Sequence, residues 1–396
     1  MPMIKSIIDD DLYKLSMQAA ILKYRQNVPV RYVYSNRRPE GMFNQAFADA
    51  LLDELEAMRT LRLTPDEERW LAEQCPFLGK DYLAFLRGYE YNPAEINFEV
   101  KDGELSLDIN GPWERTILWE VPSMATISEL FFRHCDTNWT HNGRAIQAQL
   151  QDKATTLNWC KWADFGTRRR RSYITQDLAV STFKGQNGFV GTSNVHLAMK
   201  HGVKPIGTMA HEWFMGISAL EGLRYANRHA LRIWSDVFHG NLGIALTDTF
   251  GTEAFFGDFD TPLAKLYDGV RHDSGDPIEF GEKVISHYQN LNISPAGKTI
   301  VFSDGLDPEE AVRINKCFRD RIGVSFGIGT NFTNDYEGSK ALNMVIKMWS
   351  CNDIPVVKLS DVLGKQIGDA DALRVARWTF GNTPLDQERP KFARLI

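Results

Sequence analysis

The chain has 396 residues, enough for two domains with ordinary hydrophobic cores. Its hydrophobic share of 43% and charged share of 24% are typical of a soluble globular protein, and its net charge of -6 argues against nucleic-acid binding by phosphate neutralisation. The five cysteines are scattered and never spaced as C-x-x-C, which predicts reduced thiols rather than disulfides or a zinc site. Because no apolar stretch approaches about 20 residues and no apolar leader is present, the sequence predicts a cytoplasmic protein that does not enter membranes.

The first part of the chain, residues 1–124, mixes strand and helix patterns. The segments "RYVYS", "INFEV" and "LSLDI" alternate apolar and polar residues, and a glycine-containing turn separates the last two, which is typical of antiparallel strands. Helical periodicity appears in "DLYKLSMQAAILKY", "NQAFADALLDELEAM" and "PDEERWLAEQ". The sequence therefore predicts an N-terminal α+β domain over residues 1–124.

From residue 125 onward, short apolar runs end in small, hydroxyl or acidic residues and mostly alternate with helical segments. This alternation predicts an irregular (β/α)8-type barrel over residues 125–350, joined to the N-terminal α+β domain. The sequence predicts that residues 351–396 form a tail, and it leaves open which of the two domains this tail packs on. The eight predicted strands lie in "CKWADFGTR", "GFVGTSN", "VKPIGTMAH", "GIALTDTFGT", "YDGVRHDSGDP", "TIVFSDGLDP", "GVSFGIGTNF" and "LNMVIKM".

The unusual side chains of the chain follow these runs directly. In a barrel of this class the active site forms at the carboxyl ends of the strands, so the same positions are the candidates for chemistry. In chain order they are Phe165, Arg168, Thr192, Ser193, His211, Asp248, Thr249, Arg271, Asp273, Asp304, Gly305, Gly327, Gly329 and Thr330.

The glycines of "FGIGTNF" admit two interpretations. Glycines after a strand let backbone N–H groups close on an anion, and late strands of such barrels commonly hold phosphate. The alternative is a tight turn that only needs the backbone freedom of glycine. The barrel position favours phosphate binding by Gly305, Gly327, Gly329 and Thr330.

Aspartates stand at three strand ends. Asp273 and Asp304 offer hard oxygen ligands that suit ribose hydroxyls or Mg²⁺, although an aspartate here can also cap the next helix. Asp276 and Asp307, each followed by proline, are better placed as those caps, which leaves the earlier aspartates for function. For Asp248 a substrate contact and a turn-stabilising role are nearly equal alternatives.

The run "DFGTRRRRS" carries four arginines, of which at most one or two can face a site. Arg168, nearest the strand end, is the best candidate for a bidentate clamp on a carboxylate or phosphate. Phe165 either stacks on a planar ring or belongs to the core. His211 either starts a helix or reacts, because imidazole can accept a phosphoryl group as well as act as an acid or base.

Taken together and in order, the motifs resemble those of the nicotinate phosphoribosyltransferases, which begin NAD salvage from nicotinic acid. The resemblance covers nearly the whole chain, and the combination is far more specific than any single motif. The motifs are "DLYK", "YSNRR", "FGTRRRRS", "GTSN", "KPIGTMAHEW", "LTDTFGT", "VRHDSGDP", "FSDGLD" and "FGIGTNFTND".

The resemblance implies a type II phosphoribosyltransferase fold and a homodimer with shared active sites, in which "DLYK" of one subunit completes the site of the other. It implies that Tyr13 stacks on the pyridine ring opposite Phe165. It further implies that ATP transiently phosphorylates His211, and that hydrolysis of this phosphate drives the formation of nicotinate mononucleotide and pyrophosphate. The substrates are then nicotinate, 5-phosphoribosyl 1-pyrophosphate and ATP, with Mg²⁺.

The residue chemistry fits that reaction. Displacement of pyrophosphate at the anomeric carbon passes through a cationic state and needs placement and charge stabilisation, which Asp273 and Arg271 supply beside His211. Arg168 is expected to bind the nicotinate carboxylate. Nicotinamide-using relatives carry an aspartate at the position of Ser193, whose hydroxyl instead favours an acid. Thr192, Asp248 and Asp304 are further substrate-binding candidates, while the Mg²⁺ ligands stay open.

Other functions remain as alternatives at this stage. A different phosphosugar isomerase or lyase would use the phosphate loop, and Lys347 is the tempting lysine for a Schiff base. A non-catalytic metabolite-binding protein would not need His211, Asp273 and Arg168 together. Within the family, nicotinamide or quinolinate are the alternative bases.

Overall fold

The computed structural model describes residues 3–36 and 42–381. Arg37 and Arg38 of the "YSNRR" motif, and residues 382–396 of the predicted tail, lie outside the described residues. The N-terminal elements are α1 (Leu12–Tyr24), β1 (Pro29–Asn36), α2 (Gln45–Met58), α3 (Pro65–Gln74), α4 (Lys80–Arg87), β2 (Ile96–Lys101), β3 (Glu104–Pro112), α5 (Trp113–Thr116) and α6 (Glu120–His134).

The second part of the chain alternates helices with short strands. Its elements are α7 (Gly143–Thr156), β4 (Trp162–Asp164), α8 (Tyr173–Phe183), β5 (Phe189–Thr192), α9 (Val195–His201), α10 (His211–Glu221), α11 (Ala226–Phe238), β6 (Ile244–Leu246), α12 (Thr252–Asp258), α13 (Thr261–Leu266), β7 (Gly269–His272), α14 (Pro277–Asn290), β8 (Thr299–Phe302), α15 (Pro308–Phe318), β9 (Gly323–Ile328) and α16 (Thr330–Thr333). The remaining elements are β10 (Asp335–Tyr336), β11 (Ser339–Lys340), β12 (Met344–Cys351), β13 (Ile354–Pro355) and α17 (Ala370–Phe380).

An antiparallel sheet of order β13-β12-β1-β3-β2 organises the N-terminal part. The predicted hairpin is present, and Asp102 and Gly103 turn it with φ values of 53° and 80°, as a two-residue hairpin turn requires. Strand β12, predicted as the eighth barrel strand in "LNMVIKM", pairs instead with β1, so that assignment is wrong. The reason lies in its alternation of buried and half-buried residues, which suits an antiparallel sheet covered on one face.

Six of the eight predicted strands form a parallel sheet of order β5-β4-β9-β8-β7-β6, which confirms the α/β class. The predicted third strand, "VKPI", is reduced to a bridge between Pro205 and Thr192, because proline has no N–H for a ladder. This segment still lies between β5 and β6, the two edge strands of the parallel sheet. Ile206 N donates to Thr192 O at 2.8 Å, and Thr208 Oγ1 donates to Ile244 O at 3.1 Å.

The two predicted helix caps are confirmed. Asp276 accepts hydrogen bonds from the backbone N–H groups of Ile278 and Glu279, and Asp307 accepts one from Glu310. The neighbouring Asp273 and Asp304 are therefore not the N-caps of α14 and α15. Among residues 3–36 and 42–381, no helix is both long and apolar enough to cross a membrane.

Helix α10, which begins at His211, is fixed against the N-terminal part through a glycine. A Cβ placed on Gly216 would lie 2.1 Å from Cη2 of Trp113, whose ring is buried. The absence of a side chain at Gly216 therefore lets the helix and the indole ring meet directly.

The substitution Gly216→Ala should lower the free energy of unfolding by about 1–3 kcal/mol, because the rigid indole cannot yield to the new methyl group. Gly257→Ala in α12 is the matched control, since a Cβ there meets no atom within 4 Å and a gain of about 0.5 kcal/mol is expected from helix propensity. Urea unfolding measures the free energy of unfolding of both variants. Equal changes at the two glycines would contradict the packing role of Gly216.

Candidate active site

A cleft of about 1050 Å³ opens at the carboxyl ends of the parallel strands. It brings together most of the residues singled out in the sequence, although Thr192 and Asp248 do not line it. The predicted residues that line it are Tyr13, Phe165, Arg168, Ser193, His211, Arg271, Asp273, Asp304, Gly305, Gly327, Gly329 and Thr330.

The glycines of β9 make room for Phe165. A Cβ on Gly327 would lie 2.3 Å from the ring of Phe165, and one on Gly329 would lie 3.1 Å from its carbonyl oxygen. Close packing on the aromatic wall therefore accounts for these glycines in this chain, while phosphate binding by them stays a prediction. Tyr13 of the same chain lines the same cleft.

The "DLYK" segment reaches this cleft within one chain. The backbone N–H of Leu12 donates to the carbonyl of Ser193 at 2.9 Å, and Asp11 forms a bridge to Asn194. These backbone contacts hold Tyr13 beside the wall that contains Phe165. These contacts lie within one chain, and the expectation that "DLYK" of one subunit completes the site of the other stays a prediction.

The arginine run divides between the cleft and the interior. Arg170 is buried and pairs with Asp9, donating to both carboxylate oxygens at 2.8 and 3.0 Å. Arg171 is also buried, with its guanidinium 3.5 Å from the ring centroid of Phe132. Only Arg168 and Arg169 line the cleft, as expected for a run that cannot turn four side chains one way.

Ser193 does not offer a free hydroxyl. Its Oγ donates to Asp11 Oδ1 at 2.6 Å, and burial raises the pKa of the Asp11 carboxyl. This hydrogen bond directs the Ser193 hydroxyl to Asp11, and the expectation that the hydroxyl favours an acidic substrate stays a prediction. Thr192 does not line the cleft, and its hydroxyl donates to Asp164 Oδ2 at 2.7 Å; its predicted contact with substrate stays a prediction.

His211 is the first residue of α10, and its side chain is only 6% exposed. Its Nδ1 lies 3.0 Å from Thr249 Oγ1, and its Nε2 lies 2.9 Å from Asp273 Oδ2 and 2.8 Å from Lys358 Nζ. The position therefore both starts a helix and faces the cleft. Glu212 points elsewhere, accepting from Trp113 Nε1 at 2.7 Å and from the hydroxyl of Tyr32 at 2.5 Å.

Burial keeps the imidazole neutral. Burial, and then the ammonium of Lys358, lower the pKa of His211 to about 4, although Asp248 and Asp273 act in the opposite direction. Burial alone would raise the pKa of Asp273, but Arg271, 3.7 Å away, and the His211 ring hold that pKa well below its usual range. A neutral ring beside an ionised carboxylate is competent as a nucleophile or as a base.

Lysines that sequence reasoning missed complete the site. Lys358 and Lys365 come from the tail, which the sequence left free to pack on either domain. Lys365 pairs with Asp304, and the backbone of Leu359 anchors the tail to Thr249 at 2.7 Å. No local signal marks these lysines, because lysine in a polar tail is ordinarily solvated.

Lys347 enters the cleft from β12. Its Nζ lies 3.2 Å from Glu120 Oε1, and Glu120 also pairs with the buried Lys14 at 2.6 Å. Burial lowers the pKa of Lys347 to about 8. Arg168 lies 3.6 Å from the same Glu120, so three cations share one carboxylate at this wall.

One set of potential metal ligands comes together in the described part of the chain. Single ligand atoms of His211, Asp248 and Asp273 lie within 4.8 Å of one another. The ammonium of Lys358 lies among them, 3.5 Å from Asp248 Oδ2 and 3.9 Å from Asp273 Oδ2. The lysine therefore already supplies a positive charge at this position.

Comparisons with known proteins agree with the geometry. The model of the nicotinate phosphoribosyltransferase N-terminal domain matches residues 8–128, and that of the nicotinate phosphoribosyltransferase family matches residues 160–384. The chain is 46% identical to the nicotinate phosphoribosyltransferase of Methanosarcina mazei, over 97% of this chain and 100% of the relative. It is 47% identical to that of Chromohalobacter salexigens, over 95% and 98%. The crystal structure of nicotinate phosphoribosyltransferase from Porphyromonas gingivalis superposes with a TM-score of 0.92 at 37% identity, covering 96% of this chain and 100% of that one.

The lowered pKa of His211 predicts a pH dependence of stability. Because the folded ring takes up a proton only near pH 4, whereas the unfolded ring does so near its ordinary pKa of 6.5, this stabilising contribution is present above about pH 6.5. It is lost as the pH falls from there toward 4, by about 3 kcal/mol in total.

Urea unfolding of the wild type and of His211→Asn, at several pH values between about 7.5 and 4.5, isolates this contribution as the difference between the two curves. The exposed His141→Asn serves as the matched control and should follow the wild type. Parallel curves for the wild type and His211→Asn would show that the imidazole is not held neutral by its surroundings.

Proposed function

We propose, from the premise that this chain belongs to the nicotinate phosphoribosyltransferase family, that its cleft transfers the phosphoribosyl group of 5-phosphoribosyl 1-pyrophosphate to nicotinate. In this proposal ATP phosphorylates His211 in each cycle, and hydrolysis of that phosphate drives formation of nicotinate mononucleotide and pyrophosphate. The observation that carries it is the buried, neutral imidazole at the cleft, between Asp273 and Lys358.

The charge of the cleft supports anionic substrates. Eight lysine and arginine residues line it against six aspartates, although the whole chain has a net charge of -6. A local excess of cations attracts and orients phosphates and carboxylates. Arg168 and Arg271 are the guanidinium groups suited to bidentate contact with such oxygens.

The transfer itself needs little covalent help from the protein. The ring nitrogen of the base attacks the anomeric carbon, the bond to pyrophosphate breaks, and positive charge develops on the ribose. The carboxylates of Asp273 and Asp304 at the strand ends stabilise that charge electrostatically. The aromatic rings of Tyr13 and Phe165 line the same cleft and are suited to a planar pyridine.

The residues present fit Mg²⁺ that arrives on the pyrophosphate. Both Asp273 and Asp304 already have a cationic neighbour: Asp273 lies near Arg271, and Asp304 pairs with Lys365. A cage of free carboxylates is absent among the residues described at the cleft. Mg²⁺ held mainly by phosphate oxygens would neutralise the leaving group without displacing these pairs.

Assembly and location belong to the same proposal. We propose a homodimer with shared active sites, as the family resemblance implies. The five cysteines are free thiols, which supports a reducing, cytoplasmic location.

Labelling with [γ-³²P]ATP tests the phosphorylation of His211. The wild type should form a phosphoprotein that is labile in acid and stable in alkali, as phosphohistidine is, and His211→Asn should not. His287→Asn is the matched control, because His287 bonds to the carbonyl of Phe259 and does not line the cleft. Labelling of His211→Asn to the wild-type level would refute the proposal.

The substitution Arg168→Gln tests recognition of the acid. Loss of a charge-assisted pair with the nicotinate carboxylate should raise the KM for nicotinate about tenfold to a hundredfold and leave the weak use of nicotinamide nearly unchanged. Arg321→Gln, an exposed residue paired with Glu282, should leave both values at those of the wild type.

Two outcomes would contradict the assignment of Arg168. If the KM for phosphoribosyl pyrophosphate rises equally with either base, the arginine binds phosphate instead. If the wild type uses nicotinamide as efficiently as nicotinate, the carboxyl group of Asp11 beside Ser193 selects an amide, and the acid is not the preferred base.

A further inference from the structure

The imidazole of His211 has more polar neighbours than it can satisfy at once. Nε2 lies 2.9 Å from Asp273 Oδ2, which only accepts hydrogen bonds, and 2.8 Å from Lys358 Nζ, which only donates them. A neutral ring can present either an N–H or a lone pair at this atom. Asp273 and Lys358 therefore favour opposite tautomers of the same residue.

The other ring nitrogen does not decide between them. Nδ1 lies 3.0 Å from the hydroxyl of Thr249, which can accept from an N–H or donate to a lone pair. Both tautomers are thus satisfied on that side, and the choice falls to the two charged groups at Nε2.

The remaining partners of these groups favour the lysine. Asp273 keeps a hydrogen bond from Ser303 at 3.0 Å and an ion pair with Arg271 whichever tautomer forms. Lys358 is 7% exposed, and its carboxylate neighbours lie farther from Nζ than the His211 ring, at 3.5 and 3.9 Å. Protonation of Nε2 would leave a buried ammonium without its short hydrogen bond, which is costly.

We propose that Lys358 is a positioning residue that holds His211 as the Nδ1–H tautomer and leaves the Nε2 lone pair as the phosphoryl acceptor. This role rests on the proposed phosphorylation of His211 and deepens it by naming the reacting atom. Nε2 is the nitrogen on the cleft side, since Lys358 and Asp273 line the cleft and Thr249 does not.

The resulting step balances without a proton transfer. The Nε2 lone pair forms a bond to the γ-phosphorus of ATP, the bond from phosphorus to the bridging oxygen breaks, and ADP leaves with that electron pair. Nδ1 keeps its proton, and this N–H donates a hydrogen bond to the hydroxyl oxygen of Thr249. The ammonium of Lys358, released from Nε2, moves to the oxygens of the transferred phosphoryl group, with which it forms a charge-assisted pair.

A purely structural role for Lys358 makes a different prediction. If the lysine only balances the charges of Asp248 and Asp273, its removal lowers stability but does not change which nitrogen of His211 carries the proton. The tautomer is therefore the measurement that separates the two roles.

Nitrogen NMR of protein labelled with ¹⁵N-histidine measures that tautomer at about pH 7.5, and the spectrum of His211→Asn identifies the His211 signals. We expect a protonated Nδ1 and a bare Nε2 in the wild type and in Lys358→Arg. In Lys358→Met the proton should move to Nε2, where Asp273 accepts it. Phosphorylation by ATP should then slow about tenfold to a hundredfold, the effect of losing one charge-assisted hydrogen bond.

Lys365→Met is the matched control, because this second lysine of the tail pairs with Asp304 and does not contact His211. It should leave the His211 tautomer unchanged. A wild-type ring protonated at Nε2, or an unchanged tautomer in Lys358→Met, would overturn the proposal. Should Lys358→Met fail to fold, the wild-type tautomer still decides. Absence of labelling with the expected tautomers would instead refute the phosphorylation of His211 and leave the role of Lys358 in selecting the tautomer intact.

Discussion

The contact between the His211 imidazole, Asp273 and Lys358 is the interaction on which the site depends. It joins the start of α10, the end of β7 and the C-terminal tail, three segments far apart in the chain. Because the ring is buried, it stays neutral. The carboxylate of Asp273 and the ammonium of Lys358 lie beside it, and each compensates the charge of the other. The same contact therefore fixes both the tail and the neutral imidazole at the end of the parallel sheet.

Buried ion pairs place the other walls of the cleft in a similar way. Arg170 and Asp9 tie the loop after β4 to the N-terminal segment, so that Arg168, two residues earlier, is directed to the cleft. Lys14 bridges Glu120 and Glu212, which joins α1, α6 and α10. Such pairs contribute little net stability compared with apolar packing, but removing one partner leaves an uncompensated buried charge. Here these pairs fix the orientation of the segments that they join.

Features with a local cause could be predicted from the sequence. The strand ends of the parallel sheet were marked by small, hydroxyl and acidic residues, and the caps Asp276 and Asp307 followed from the proline after each. Those positions in the sequence indicate the cleft residues Phe165, Arg168 and His211. The resemblance to one family supplied the reaction, which strand patterns alone do not specify.

Features that depend on distant contacts could not be predicted. Lys358 lies 147 residues from His211, and Asp11 lies 182 residues from Ser193, so no local pattern reveals either hydrogen bond. The pairing of β12 with β1 could not be predicted for the same reason, because an apolar run does not indicate which sheet it joins. In each case the contact was set by tertiary packing, which a local sequence pattern does not encode.

The central claim is that His211 accepts the γ-phosphate of ATP at Nε2. The most direct test is a ³¹P spectrum, recorded in alkali, of protein labelled with ¹⁵N-histidine and quenched during turnover. We predict a phosphoramidate signal with one-bond coupling to Nε2 of His211. A signal coupled to Nδ1, or no protein-bound phosphate during ATP-dependent turnover, would contradict phosphorylation at Nε2.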